Sequence, residues 1–311
     1  MKKLRIKNIE LENNLVLAPI AGYTDVGFRK LAKKYGAALT YTEMVSAKAL
    51  VFGNKKTEDL LITAANEKPC AVQLFGSEPE VFYEAIKLKC LEKFDVIDIN
   101  MGCPAPKIFS NGEGSALMGD VELAKEIVKA SVRATNRPIT VKFRSGIEKV
   151  TAIEFAKAME EAGASLITIH ARTKEQGYSG KADLKVAKAV KDAVKIPVIV
   201  SGDCVDKESY LNILKETKAD GVMIARGALG KPEVFSEILD KNVEINKLND
   251  ILEHIQELRK YYSEKYVVLN MRSHIAFYLK KYKIPSDIRV KFLKVEKIEE
   301  LIELLKEVLK W

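Results

Sequence analysis

Ile139-Thr140-Val141-Lys142, Leu166-Ile167-Thr168-Ile169, Val198-Ile199-Val200 and Gly221-Val222-Met223-Ile224 follow one another through the middle of this 311-residue chain. Each is a short run rich in β-branched residues, and each is too apolar to keep one face in water. Between them lie helix-like segments, Ile153 to Ala162 closed by Gly163, and Leu184 to Val194 running up to Pro197. Strands buried on both faces and alternating with helices are the pattern of a parallel sheet. Toward the N-terminus the same unit recurs at Val96-Ile97-Asp98-Ile99, Cys70-Ala71-Val72-Gln73-Leu74, Leu39-Thr40-Tyr41 and Leu15-Val16-Leu17-Ala18. A helix over Val121 to Ala134 sets Leu123, Ile127 and Val128 on one face. Eight β/α units within about 235 residues are what a closed (β/α)8 barrel requires. An open doubly wound sheet is the alternative. It would carry a G-x-G-x-x-G turn after an early strand, and the first strand here ends in Ala18-Pro19-Ile20-Ala21-Gly22.

The expected fold is therefore α/β, a TIM barrel over residues 1–241. From Asn242 the strand-like runs stop. Helical spacing takes over at Ile251, Ile255, Leu258 and Tyr262, at Ile275, Tyr278, Leu279 and Tyr282, and at Leu301, Leu304, Leu305 and Val308. Residues 242–311 are expected to form a small all-helical domain. With 47% hydrophobic and 30% charged residues the chain has a globular composition. No run approaches the roughly 18 apolar residues of a membrane span, and the basic N-terminus has no apolar stretch behind it. A cytoplasmic location and no membrane partner are expected. Cys70, Cys90, Cys103 and Cys204 are far apart without a C-x-x-C pair, so neither a disulfide framework nor a metal site is expected.

The net charge of +8 is concentrated. Between Arg259 and Lys294 ten basic residues face only Glu264 and Asp287, an excess of eight. Tyr261, Tyr262, Tyr266, Phe277, Tyr278 and Tyr282 are interleaved with them. A solvated helix face over core aromatics is the plain reading; a surface for a phosphate backbone is the functional one.

In such a barrel the site is built where strands end. The third strand ends in Gln73, the fourth leads to Asn100 and to Cys103 in Asn100-Met101-Gly102-Cys103-Pro104. A cysteine between a glycine and a proline lies on a stiff turn rather than inside a packed element. The fifth strand ends with Lys142 and Arg144 on one side, by period two. The sixth ends with His170 and Arg172, the seventh with Ser201-Gly202-Asp203, the eighth with Ala225-Arg226-Gly227. Glycine-rich turns after the last two strands are the usual phosphate site, although tight βα turns alone also call for glycine. An amide, an ammonium and a phosphate turn at one mouth suit a flavin, whose reduced form is stabilised by a positive charge near N1/O2.

Leu17-Ala18-Pro19-Ile20-Ala21-Gly22-Tyr23-Thr24-Asp25, Gln73-Leu74-Phe75-Gly76, Asn100-Met101-Gly102-Cys103-Pro104, Val141-Lys142-Phe143-Arg144, Ile169-His170-Ala171-Arg172 and Ser201-Gly202-Asp203 together resemble motifs of the tRNA-dihydrouridine synthases of the bacterial B-like type. The resemblance runs in order along nearly the whole chain, and Met271 to Lys280 is similar to that family's tRNA-binding helix. It implies FMN at the barrel mouth, reduced by NADPH or NADH, and reduction of specific D-loop uridines of tRNA to 5,6-dihydrouridine. Hydride would pass from flavin N5 to uracil C6, and Cys103 would protonate C5. By matching position Pro19, Ile20, Ala21, Gln73, Lys142 and His170 would line the flavin ring. Ser201, Gly202, Asp203, Ala225 and Arg226 would hold its phosphate side, and Asn100, Arg144 and Arg172 would face the uracil or its phosphates. Ile20 stands where methionine is frequent and Ser201 where asparagine is, which costs one side-chain amide. A thiol of ordinary pKa, about 8.5, is largely protonated at neutral pH and can act as an acid. The enzyme is expected to be a monomer without an obligate protein partner.

Two other readings share some of these residues. A small-molecule FMN oxidoreductase of the dihydropyrimidine or dihydroorotate dehydrogenase kind would use the same barrel and similar C5–C6 chemistry, but not a basic tyrosine-rich tail. A non-catalytic RNA-binding barrel would need no flavin. Gly112 and Gly114 are expected to give the loop after Cys103 room to close over the flavin.

Overall fold

A computed structural model describes residues 2–65 and 67–309. The chain begins with a hairpin, β1 (Leu4–Ile6) and β2 (Ile9–Leu11), which turns at Lys7 with φ 52°. Eight parallel strands follow: β3 (Leu15–Leu17), β4 (Thr40–Ser46), β5 (Cys70–Phe75), β6 (Val96–Met101), β7 (Ile139–Arg144), β8 (Leu166–His170), β9 (Val198–Ser201) and β10 (Gly221–Ile224). Their order is β3-β10-β9-β8-β7-β6-β5-β4. The ring closes between β3 and β4 through a parallel bridge of Val16 with Leu39, where the Leu17 N–H donates to the Leu39 carbonyl at 2.9 Å. This is a (β/α)8 barrel with helices around it.

All eight strand runs expected from the sequence are present. Several extend further toward their C-terminal ends, because polar residues there still point into the barrel and the ladder continues beneath them. The largest difference is β4, which reaches Ser46 through a register shift between Tyr41 and Met44. The hairpin was not expected. Its Leu4, Ile6 and Leu11 are buried together with Val16, Tyr41, Ala71, Val96, Leu166, Ile199 and Met223, and plug the N-terminal end of the barrel.

Alternation along each strand sorts the residues into two sets. Val72, Leu74, Ile97, Ile99, Val141, Phe143, Ile167 and Ile169 pack outward in the core beneath the helices. Inward residues are apolar low in the barrel and polar above, where Gln73, Asp98, Asn100, Thr140, Thr168, His170 and Ser201 are all buried. The polar layer sits at the end where the strands run into their long loops.

Beyond β10 the described residues contain a short helix, Val234–Ile238, and then four helices, Lys247–Arg259, Glu264–Tyr278, Ser286–Lys294 and Ile298–Leu309. Leu248, Ile251, Ile255, Leu258, Val267, Met271, Ile275, Leu301 and Leu305 form their core. Val26 and Leu31, from the barrel helix Val26–Lys34, belong to the same core. Each such side chain contributes about 1.5–3 kcal/mol on leaving water, so the four helices are fastened to the first β/α unit. No described helix is long and apolar enough to cross a membrane.

Candidate active site

Cross-strand register brings the polar layer together. Gln73 pairs with Asp98 across β5 and β6, and Asp98 with Thr140 across β6 and β7. One step higher Asn100 pairs with Lys142, and His170 lies between Arg144 and Ser201. Above them opens a cavity of about 1050 Å³. Its walls include Pro19, Ile20 and Ala21 from the loop after β3, Gln73, Asn100, Cys103, Lys142, Arg144, His170, Ser201-Gly202-Asp203 and Ala225-Arg226. Every sequence-predicted site residue except Arg172 therefore lines one mouth. Met44, Tyr178, Leu229, Phe277 and Lys280 line it as well, and the sequence reading passed over Met44, Tyr178 and Leu229. Tyr178 sits in a loop between β8 and its helix, with no periodicity to mark it.

Electrostatics in the layer are governed by burial. No acceptor among the described residues engages the Lys142 ammonium. Burial and the neighbouring Arg144 charge push its pKa down to about 8, against the pull of Asp98 and Cys103. Burial likewise pushes Asp98 up to about 7, although Thr140, Gln73 and Lys142 favour the carboxylate. His170 is neutral: burial, then the charges of Lys142, Arg144, Arg172 and Arg226, bring its pKa down to about 2. Its Nε2 lies 3.4 Å from Nη1 of Arg172, which can only donate, so Nε2 is the acceptor and Nδ1 carries the proton.

The three arginines are used differently. Arg144 is buried, and donates to the Gly102 carbonyl at 2.9 Å, the Thr173 carbonyl at 3.0 Å and the Gly177 carbonyl at 2.8 Å. Arg172 is buried outside the cavity lining, and donates to the Ser179 and Gly180 carbonyls and to both oxygens of Asp203, at 2.8 and 2.9 Å. Both therefore shape the loop from Thr173 to Ala182, and Asp203 completes the clamp by accepting the Ala182 N–H at 2.7 Å. Arg226 remains half exposed. Its guanidinium and that of Arg144 both lie over the Tyr178 ring, 5.0 and 5.5 Å from the centroid. Gly227 has a packing reason to be glycine, since a Cβ there would meet the Cys204 carbonyl at 2.3 Å.

Cys103 is half-buried on the turn after β6. Asn100 Oδ1 accepts the N–H groups of both Gly102 and Cys103, at 3.1 and 2.9 Å. The Cys103 carbonyl accepts the Ser115 N–H at 3.0 Å and its hydroxyl at 2.9 Å. The loop between holds a short helix, Pro106–Ser110. Gly112 faces open space, whereas a Cβ on Gly114 would lie 2.8 Å from the Cys103 carbonyl. Gly114 thus lets the chain pack beneath the cysteine.

Residues 16–310 match the family model described as Dihydrouridine synthase (Dus). The chain is 40% identical over 287 residues to "Probable tRNA-dihydrouridine synthase" of Rickettsia bellii, covering 88% of each. It is 34% identical over 313 residues to "tRNA-dihydrouridine synthase B" of Vibrio parahaemolyticus, covering 97% of each. The chain belongs to the dihydrouridine synthase family. Among solved structures, a 2-naphthoyl-CoA reductase complex superposes with a TM-score of 0.60 at 13% identity, over 77% of this chain and 52% of that one. The structure described as TcOYE with pHBA gives 0.58 at 10% identity, over 76% and 91%. These two show the barrel fold alone.

In this member of the dihydrouridine synthase family the helical tail is tied to the loop after β3 through one buried cluster. Asp25, in the loop after β3, caps the helix Val26–Lys34 by accepting the Phe28 N–H at 2.9 Å. The same carboxylate meets His254 Nε2 at 2.9 Å and Asn270 Nδ2 at 2.9 Å. His274 Nε2 also lies 2.9 Å from it. The three ligand-type groups stand within 4.8 Å of one another, but the hydrogen bonds already occupy the carboxylate. His254 and His274 hold Asp25 well below the usual carboxylate range despite its burial. Of Met271 to Lys280, only Ser273, Ala276 and Lys280 are exposed; the others face this cluster and the helical core in whole or in part.

The residues fit a flavin mononucleotide. An ammonium without a protein acceptor, a buried amide and a neutral imidazole with a free N–H donor offer partners for a flavin ring's acceptors. Arg226 leaves a guanidinium half exposed for the phosphate.

Proposed function

We propose that this chain reduces D-loop uridines of tRNA to 5,6-dihydrouridine, with FMN in the barrel mouth and NADPH or NADH as reductant. The observation that carries the reading is the meeting of a buried lysine without a protein acceptor and a cysteine on a fixed turn in one cavity. Support comes from 34–40% identity to proteins named tRNA-dihydrouridine synthase. Bound FMN would supply the hydride for uracil C6.

The chain's own residues supply the remainder. Lys142, Gln73 and His170 would hold the ring edge, and the Lys142 charge would favour its electron-rich state. Ser201, Gly202, Asp203, Ala225 and Arg226 would flank the phosphate, Asp203 through its clamp on Arg172. Cys103 would give its thiol proton to uracil C5, where negative charge develops as hydride arrives at C6. Asn100 would orient the base, with Arg144 behind it. Arg172 would act on the substrate only through the loop it shapes, since it is buried outside the cavity lining with its donors turned to Asp203, two loop carbonyls and His170.

A uracil stacked in folded RNA cannot reach this depth, so the base must be extruded into the mouth. Phe277 and Lys280 place the helical tail at the rim. Residues 242–311 would then hold the RNA backbone, as a domain on the barrel of residues 1–241. The work would be done by a single copy of the chain in the cytoplasm.

The test is direct. Purified protein with FMN, NADPH and an unmodified tRNA transcript should yield dihydrouridine, measured by nucleoside mass spectrometry. Rapid oxidation of free dihydrouracil or dihydroorotate with tRNA untouched would favour the small-molecule reductase instead.

A further inference from the structure

Among the described residues Asp98 is the one acid in the interior polar layer, fully buried in the middle of β6. Its Oδ1 accepts the Thr140 hydroxyl, and its Oδ2 accepts Gln73 Nε2 at 2.7 Å. Gln73 Oε1 in turn accepts Asn100 Nδ2 at 2.8 Å. Asn100 Oδ1 then accepts the N–H groups of Gly102 and Cys103. Four links thus join a carboxylate in the barrel core to the turn that carries the thiol.

The chain has a direction. An amide offers a donor on one side and an acceptor on the other, and which is which follows from its neighbours. Backbone N–H groups at the upper end can only donate, so they require an oxygen from Asn100. That turns Asn100 Nδ2 toward Gln73, which must answer with Oε1, and so Gln73 Nε2 faces downward into the core. A buried N–H left without an acceptor there is costly. A carboxylate is the side chain that can only accept, and Asp98, ionised above its raised pKa of about 7, occupies that place with Oδ2.

We propose that Asp98 is a positioning residue: its carboxylate is the root of a hydrogen-bond chain that sets the amide orientations of Gln73 and Asn100 and so holds the Cys103 turn. The inference rests on the proposed function only in giving that turn a catalytic purpose. Asp98 lines no part of the cavity and does not touch the thiol; it reaches the Cys103 turn through the two amides, apart from the pull of its charge on Lys142.

Reversing the chain tests this. In Asn100→Asp, Gln73 stands between two carboxylates and can offer its NH2 to only one. Adding Asp98→Asn lets the whole chain invert. The new amide donates to Gln73 Oε1, Gln73 Nε2 donates upward, and the acid at position 100 still accepts the Gly102 and Cys103 N–H groups. Two readouts are taken for the native protein, each single variant and the double. One is amide hydrogen exchange at Gly102 and Cys103 in flavin-free protein; the other is dihydrouridine formed per bound flavin in one turnover. Asn100→Asp should raise the exchange rate about tenfold and slow turnover about ten- to hundredfold. The double variant should be better protected and faster than Asn100→Asp, although Asp98→Asn alone brings no gain. If Asn100→Asp is too unstable to retain flavin, the double variant should still have the higher melting temperature.

Losses that simply add, in exchange, turnover and melting temperature, would overturn the proposal. Cys103→Ala is run alongside. Normal turnover in that variant with the exchange rescue intact would sink the catalytic reading and leave the Asp98 chain standing. Slow turnover without the rescue would sink the chain alone.

Discussion

Lys142 is held with its charge at a cost. In the flavin-free protein its pKa is down to about 8 from the ordinary 10.5 of lysine, through burial and Arg144, with Asp98 and Cys103 opposing. Between those two pH values the unfolded chain binds a proton that the folded one does not, so stability rises with pH across that window. Below about pH 8 both states are charged and the burial cost is fully present. Lys142→Met removes that cost. The variant should be more stable than the native flavin-free protein at pH 7, by about 3 kcal/mol at most, and its stability should change less between pH 8 and 10. It should also retain FMN poorly. Urea unfolding at several pH values checks the first part and flavin content the second; a less stable variant with normal flavin would contradict both.

Residues at strand ends were legible because period two fixes which side chains share the barrel mouth. Gln73, Asn100, Lys142, His170 and Ser201 follow that rule. Asp98 obeys it too, two positions before Asn100, and its signal was an acid inside an otherwise apolar strand. Arg144 also has the right parity, but its guanidinium turns back to three loop carbonyls, a destination set by the fold of residues 173–182 and not by spacing. Arg172 and Asp203 were read as two separate contacts, and the structure also joins them in one clamp.

At the scale of elements, the strands and helices of the barrel could be read from composition and period, and the contacts between distant elements could not. The hairpin of β1 and β2 alternates cleanly over Leu4-Arg5-Ile6 and Ile9-Glu10-Leu11, yet strands of three residues carry too little pattern to stand out. The cluster around Asp25 joins residues more than 200 positions apart. Its sequence signal was limited to a helix-capping aspartate and two histidines on later helices. Asp25→Ala would leave the Phe28 N–H, His254 and Asn270 without their buried acceptor. It should cost about 3 kcal/mol, well above the roughly 1 kcal/mol of a lost cap. Chemical denaturation measures this, and a loss within about 1 kcal/mol would show that the cluster is only a cap.

For the whole molecule, the tail is tied to the barrel through a shared core, so removing it would uncover Val26 and Leu31 as well as take away the basic surface. Substitutions on the surface separate the two effects. Lys280, Lys281 and Lys283 are exposed, and Lys280 also lines the cavity rim. Replacing all three by alanine should leave the melting temperature unchanged and weaken tRNA binding. The slope of log affinity against log salt should fall by about one for each phosphate no longer neutralised. An unchanged slope would place the RNA elsewhere.

The central claim is that the Cys103 thiol delivers the proton that completes dihydrouridine. It is tested most directly by single-turnover formation of dihydrouridine in unmodified tRNA by Cys103→Ala, reduced beforehand and normalised to bound flavin. The predicted result is normal FMN and tRNA binding with a rate about 10²–10⁴-fold below the native enzyme. A rate equal to the native one would contradict it.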